Sequence, residues 1–400
     1  MHDDISAAWR SFDLHAPTDE HRLLAETLQT FVAQEVEPQA AQYNREERFN
    51  LALFRRAGDL GLLGLTVSES DGGAGLDATA AVLVHEALSA ADPGFCLAYL
   101  AHAVLFVHNF ARNGSAAQKE RVLSKAISGE WIGGMCMTEP EAGTDVLGMR
   151  STAVRQGDHY ILNGRKMFIT NGAIDDRTTG DVFLVYAKTD SKISTFLVEK
   201  GFSGFSLGQR LHDKLGVRAS MTAELVFDNC VVPVSNLIGS EGESSKHMMR
   251  NLEIERLTLA GMSLGIALRC LEVMVGYSNE RKTFGVPIRE HGQIQRHIAE
   301  SYSEFRAARC YVYDVARRLD LSSFGNRVDA DGAKLFAARI AKEIADRAIQ
   351  VLGGYGYMGE YVVERLWRDA KLIEIGGGTV EAHHKNITKD LCRAPELIRR

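Results

Sequence analysis

Hydrophobic residues recur along this chain with a period near 3.6, then near 2, then near 3.6 again, and that order restricts the fold more than any other feature. Between 18 and about 130, Leu24, Leu28, Phe31 and Val32 share one helical face, and Ala80, Val84, Ala87 and Leu88 another. Thr18 is placed to start the first helix and Pro38 to stop or kink it. Asp71-Gly72-Gly73-Ala74-Gly75 supplies a turn between helices. Short runs at 160–164, 182–186, 195–198 and 223–227 then read as strands. Asn163-Gly164 reads as a hairpin turn, and Asp228-Asn229 with Pro233 as the exit from the strands. Helical patterns return over 244–280, 288–320, 329–352 and 379–392. The expected fold is mainly α with a central antiparallel β domain: an N-terminal helical domain (1–130), a middle β domain (131–241) and a C-terminal helical bundle (242–400). Alternating βαβ units, and the doubly wound sheet they build, do not match this order.

Composition excludes several function classes. Seven prolines against 37 glycines suit long helices with glycine reserved for turns and close approaches. A net charge of -6 gives no electrostatic footprint for nucleic acid. The start, Met1-His2-Asp3-Asp4, lacks the apolar core of a signal peptide. No uninterrupted run approaches the ~18 apolar residues of a membrane span, so no membrane insertion is expected. The six cysteines never form CxxC, which leaves metal and redox motifs without support and predicts free thiols in a reducing compartment. Such a chain belongs in the cytoplasm, or in the mitochondrial matrix if it is a processed eukaryotic product.

Several motifs carry two readings each. Residues 354–359 spell GxGxxG, but the dinucleotide fingerprint needs a strand before it, and a helical pattern precedes it here. A glycine-rich helix end fits better. Thr138-Glu139-Pro140-Glu141-Ala142-Gly143-Thr144-Asp145 offers hydroxyls and bare backbone to a flat heterocycle or a phosphate, or is a polar turn. Residues 163–172 read alone as a strand between two Asn-Gly turns. Glu255 falls on the apolar stripe of Leu252, Leu259, Met262 and Ile266. A carboxyl there is either a desolvated base with a raised pKa or half of a buried salt bridge. Arg281-Lys282-Thr283-Phe284-Gly285 reads as a basic helix end with a glycine C-cap. Gly376-Gly377-Gly378-Thr379 is an anion or carbonyl cradle at a helix start, or a flexible connector. His383-His384 has no accompanying ligand set and reads as surface histidines, so no metal is expected.

Taken together, MxxTEPxAGTD (135–145), NGRKMFITNG (163–172), DKLGVRAS (213–220), ERKTFG (280–285), QVLGGYGY (350–357) and RDAKLIEIGGGT (368–379) resemble the acyl-CoA dehydrogenase family over residues 18–392. The resemblance implies a helical domain, a β-barrel domain and a C-terminal four-helix bundle, in a homotetramer that binds FAD. It implies flavin contacts from Met135, Met137, Thr138, Gly143, Thr144, Phe168, Ile169 and Thr170. Phe168 stands where many members have Trp. Arg281 and Phe284 resemble residues that reach the FAD of a neighbouring subunit. Gln350, Gly353 and Gly354 match its diphosphate contacts, and Thr379 and Glu381 the pair beside it. Gly292 replaces a common Gln, which leaves Gln293 or Gln295 to make that dinucleotide contact.

Most members carry the catalytic base as Glu in a Tyr-Glu-Gly-Thr motif, where this chain has Gly377. The isovaleryl-CoA dehydrogenase branch instead supplies the base from the bundle helix, and Ile254-Glu255-Arg256-Leu257 resembles that segment. The implied reaction removes an α-proton from a short or branched acyl-CoA and passes a β-hydride to the flavin, giving the 2,3-enoyl-CoA. The family's oxyanion donors are a flavin ribityl hydroxyl and a backbone N–H at the position of Gly377. Thr144, Glu253, Arg256, Gly377 and Gly378 match positions near the thioester and CoA. An electron-transfer flavoprotein is the implied acceptor. Alternatives on the same fold are a dehydrogenase of carrier-bound acyl or prolyl thioesters, a flavin-dependent monooxygenase, and a non-catalytic FAD-binding homologue.

Overall fold

The computed structural model describes residues 13–323 and 325–399. The acidic start at residues 1–4 lies outside them. Among the described residues seven α-helices come first: α1 (Asp19–Phe31), α2 (Glu37–Glu46), α3 (Leu51–Asp59), α4 (Ala78–Ala91), α5 (Pro93–Leu100), α6 (Asn109–Asn113) and α7 (Ala116–Ile127). Thr18 caps α1 by accepting the His21 N–H. Pro38 does not stop the helix. A π-helical stretch, Val32–Val36, leads into α2, which takes Pro38 in its first turn, where a missing N–H costs nothing.

Eight strands follow: β1 (Gly133–Cys136), β2 (Thr152–Gln156), β3 (His159–Thr170), β4 (Val182–Thr189), β5 (Lys192–Glu199), β6 (Phe205–Arg210), β7 (Thr222–Pro233) and β8 (Leu237–Ile238). They form one sheet in the order β6-β7-β3-β2-β4-β5-β8, with β1 beside β4. Pairing is antiparallel except at β1–β4 and β2–β4, which are parallel. Two turn expectations are corrected here. Asn163-Gly164 sits inside β3 at a register shift against β7, and the chain continues straight on to Thr170. Asp228-Asn229 likewise lies within β7. Asn229 adopts φ 51° and its N–H donates to Asn163 Oδ1, so the two irregularities face each other across the ladder.

The chain then returns to helix in α8 (Ser244–Glu280). A hairpin of β9 (Lys282–Thr283) and β10 (Val286–Pro287) leads to α9 (Gly292–Arg318), α10 (Arg327–Leu352), α11 (Val363–Ile373) and α12 (Val380–Arg393). Sequence periodicity missed α11. Pro93–Asn113 and Ser244–Glu280 are long and apolar enough to span a membrane by length and composition, contrary to the run-based expectation, but both are largely buried in the fold. The principal core joins α1, α4 and α5 to the four helices α8 to α11. Helix α8 lies hard against α4. A methyl built on Gly265 would meet Glu86 O at 2.1 Å, and Ser89 Oγ donates to Met262 O across the contact.

Candidate active site

The residues singled out from sequence gather in three places. The first is the bulged end of β3, beside the end of β1. Thr138 follows β1, and its carbonyl accepts the Met167 N–H, which ties the Thr138 segment to the end of β3. Phe168 takes φ 60° and is 65% exposed, between buried Lys166 and Ile169. Lys166 is fully buried; its ammonium donates to Glu139 Oε1 at 2.8 Å and to Met137 O. Glu139 also accepts the N–H groups of Arg150 and Ser151, and these donors with Lys166 overcome its burial and hold its pKa down near 2. That pair, which motif reading missed, fixes the segment bearing Met137 and Thr138. Met135 and Thr170 are half-buried; Gly143 and Thr144 lie exposed beyond it.

The second place is the helical hairpin end. Gly285 is not a helix cap. Phe284 and Gly285 both have positive φ (52° and 83°) and form the two-residue turn between β9 and β10. Phe284 stands at its tip, 97% exposed. The Arg281 guanidinium lies 6.0 Å from the Tyr355 ring centre. Arg281, Thr283, His291, Gly353 and Gly354 line a cleft of about 630 Å³. GxGxxG falls on a short 3₁₀ turn directly after α10, as helical context requires. Gln350 is exposed on the last turn of α10. Gly292, Gln293 and Gln295 are exposed at the start of α9.

The third place is a buried seam between α8, α10 and the loop at 376–378. Glu255 is buried, its Oε2 without a hydrogen-bond partner among the described residues. Burial pushes its pKa up, against the opposing charges of Arg256 and Lys334. Gly377 faces it with φ 64°; a methyl built there would lie 3.5 Å from the Glu255 carboxyl and 2.3 Å from Leu259 Cδ1. The space a residue-377 side chain would enter is therefore taken by Leu259 and bordered by the Glu255 carboxyl. Arg256 makes an ion pair with Asp331 at 2.8 Å, and its Nε donates to Gly377 O at 3.4 Å. Glu253 accepts the Asn326 N–H just before α10, and burial raises its pKa. Thr379 caps α12 by accepting the Ala382 N–H, while Glu381 points to solvent.

His383 is not on the surface. It is fully buried, with Nδ1 3.1 Å from Asp331 Oδ1, and it packs beneath Gly378, whereas His384 is exposed. No group of three or more His, Cys, Asp or Glu able to hold a metal occurs among the described residues. Sequence reading also missed Lys334, fully buried beside the glycine loop.

Comparison with known proteins decides the family. Models of the N-terminal, middle and C-terminal domains of acyl-CoA dehydrogenase match residues 18–130, 134–230 and 245–392. The chain belongs to the acyl-CoA dehydrogenase family. It is 42% identical over 373 residues to the mitochondrial isovaleryl-CoA dehydrogenase of Arabidopsis thaliana, covering 92% of this chain and 90% of that one. It is 38% identical to a short-chain-specific acyl-CoA dehydrogenase of Clostridium acetobutylicum, covering 94% and 99%. Among solved structures, one described as an electron transferring flavoprotein of Acidaminococcus fermentans superposes with TM-score 0.90 at 35% identity, covering 94% and 98%. An acyl-CoA dehydrogenase of Bacillus anthracis complexed with FAD superposes at 0.87 and 31% identity, covering 96% and 68%. As a member of this acyl-CoA dehydrogenase family, the chain is an FAD-dependent oxidoreductase acting on acyl-CoA thioesters. Its residues fit that cofactor. Methyls built on Gly353 and Gly354 would meet nothing within 4 Å, leaving bare backbone open to a diphosphate beside the cleft, and Phe168 presents an exposed ring at the bulge in β3.

Proposed function

We propose that this chain oxidises a short or branched-chain acyl-CoA to the 2,3-enoyl-CoA, with Glu255 as the α-proton base. One observation carries the reading: the Glu255 carboxyl borders the space that a side chain at 377 would enter, and residue 377 is glycine. A buried carboxylate with one oxygen unpartnered and a raised pKa is a stronger base than a solvated one. The Gly377 N–H, with no hydrogen-bond partner among the described residues, is available to the thioester oxygen as negative charge develops there. FAD, when bound, supplies the acceptor for the β-hydride. Met137, Thr138, Phe168 and Thr170 would line its ring system, and Gln350, Gly353 and Gly354 its diphosphate. Thr144, Glu253, Arg256 and Gly378 would lie toward the thioester and CoA.

The exposure of Phe284 and of Tyr357, 83% exposed, supports completion of the flavin site by a second copy, in a homotetramer. The likeness to the Acidaminococcus structure supports an electron-transfer flavoprotein as acceptor. Free cysteines at all six positions support a reducing compartment, cytoplasm or mitochondrial matrix. The helix–strand–helix order supports the division at 130 and 241. Anaerobic titration of the yellow protein with a panel of acyl-CoAs and carrier-bound thioesters tests the reading. Short or branched acyl-CoAs should bleach the flavin, and Glu255→Gln should keep FAD but abolish bleaching. Undiminished bleaching by Glu255→Gln, or bleaching by carrier-bound thioesters alone, overturns it.

A further inference from the structure

Two buried cations grip the glycine loop opposite Glu255. Lys334 reaches from α10, and its ammonium donates to the carbonyls of Gly376 at 2.8 Å and Gly378 at 2.5 Å. Arg256 reaches from α8 to the carbonyl between them. In a trans peptide the N–H points opposite to the C=O. Turning the Gly376 carbonyl onto Lys334 therefore turns the Gly377 N–H away from it, and the Gly378 carbonyl does the same for the N–H of Thr379. Three consecutive glycines have no intrinsic preference for this arrangement. The grip comes from outside the loop.

Lys334 is an unusual residue to bury for that purpose. Its acceptors are neutral carbonyls, and among the described residues no carboxylate lies within ion-pair distance of it. Burial drives its pKa down to about 7, while the neighbouring Glu255 carboxylate pulls it back up. A hydroxyl or amide could donate to carbonyls without carrying charge into the core. The charge has a use if a negative charge forms beside it.

We propose that Lys334 is a positioning residue for α-proton abstraction: it orients the Gly377 N–H toward the thioester oxygen and is the buried counter-charge of the Glu255 carboxylate. The inference rests on the reading of Glu255 as base. In that step the α-C–H bond breaks, the proton forms an O–H bond on Glu255, and the electron pair passes to the thioester oxygen. Negative charge thus moves from Glu255 to an oxygen held at Gly377, the residue whose flanking carbonyls Lys334 fixes. The other ionisable groups of the seam are Arg256 on α8, Asp331 on α10, Glu374 at the end of α11 and His383 on α12. Asp331 is engaged by Arg256 and His383, and the Lys371 ammonium lies 2.6 Å from Glu374, so Lys334 is the cation left to face Glu255 beside Arg256.

The test is Lys334→Met in the FAD-loaded enzyme, which keeps the stem and removes the charge and the donors. Flavin bleaching by acyl-CoA should slow by about 10²-fold. Backbone amides at 376–379 should exchange with solvent at least about tenfold faster in the substrate-free protein. The acid limb of the bleaching rate should move up by about one pH unit, because loss of a cation raises the pKa of a carboxyl. A wild-type rate with wild-type exchange overturns the proposal, and so does a slowed rate with an unmoved acid limb. Should the Met variant fail to fold, Lys334→Gln carries the test, since it keeps a donor and loses the charge. Its acid limb should move up while loop exchange stays near wild type, and an unmoved limb again overturns the proposal. Glu255→Gln is measured alongside. If that variant still bleaches, the base assignment has failed; if it is inert while Lys334→Met behaves as wild type, only the role of Lys334 has.

Discussion

Two glycine clusters in the C-terminal half serve opposite ends. At Gly353 and Gly354 an added methyl would touch nothing, so the bare backbone lies open beside the cleft where we propose the FAD diphosphate binds. At Gly377 and Gly378 an added methyl would strike Leu259 or the His383 ring, and the carbonyls of 376–378 are held by Lys334 and Arg256. On that proposal one cluster is bare for a ligand, the other for the protein's own packing. Composition treats them as the same residue. Their surroundings leave the first open to solvent and lock the second into the protein's packing.

Substitutions can sharpen or break this contrast. The largest effect belongs to the residue that borders the inner cluster: Glu255→Gln should slow flavin reduction by about 10³-fold or more, with FAD retained, in stopped-flow absorbance. Next, Gly377→Ala should destabilise the protein by about 2 kcal/mol, because it adds a clash to a left-handed φ. A thermal melt within a degree of wild type would show that the inner cluster is no more constrained than the outer one. Gly354→Ala should leave the melt unchanged yet weaken FAD by about tenfold, a loss of roughly 1.4 kcal/mol read by flavin fluorescence. Equal FAD affinity would erase the distinction from the other side.

The pH dependence of stability gives a subtler effect. The folded-state pKa of Glu255 lies above its ordinary value of 4.5, so folding favours the protonated form, and stability is lost as pH rises through that raised pKa. Glu255→Gln should therefore melt higher than wild type at neutral pH, with the difference vanishing below about pH 4.5. A melt lower than wild type at pH 7 would contradict the burial argument. Last, Phe284→Ala should leave the protomer folded and lower the oligomeric state in sedimentation, since its ring touches little within the chain.

Much of this was legible from period and spacing. Glu255 is buried in α8 as its apolar neighbours predict, but so is every residue from Asn251 to Ala267, because that stretch is enclosed on all sides; the same pattern in α10 holds two more charges. Asp331 and Lys334 fall among Ala330, Ala337, Ala338, Ala341 and Ala345, all buried. What the sequence pattern could not give was partnership: Arg256 pairs with Asp331 on α10, remote in sequence, rather than with Glu255 beside it. The turn at Phe284 was illegible for another reason. A bulky aromatic residue opposes left-handed backbone, and local preference pointed to a helix cap instead. Asn163-Gly164 misled in the opposite direction, as a strong turn signal absorbed into a long strand because β7 carries a matching irregularity at Asn229.

The contact of Gly265 with α4 has a consequence for selectivity. A loop-borne base could shift to meet acyl groups of differing shape. The base we propose, Glu255, rides on a helix whose backbone is pressed against a neighbouring backbone and latched by Ser89. With Glu255 as base, each thioester brings its own α-carbon to a carboxyl carried on that helix. Turnover should consequently fall off as a cliff, not a slope, once an acyl group outgrows the space beside α8.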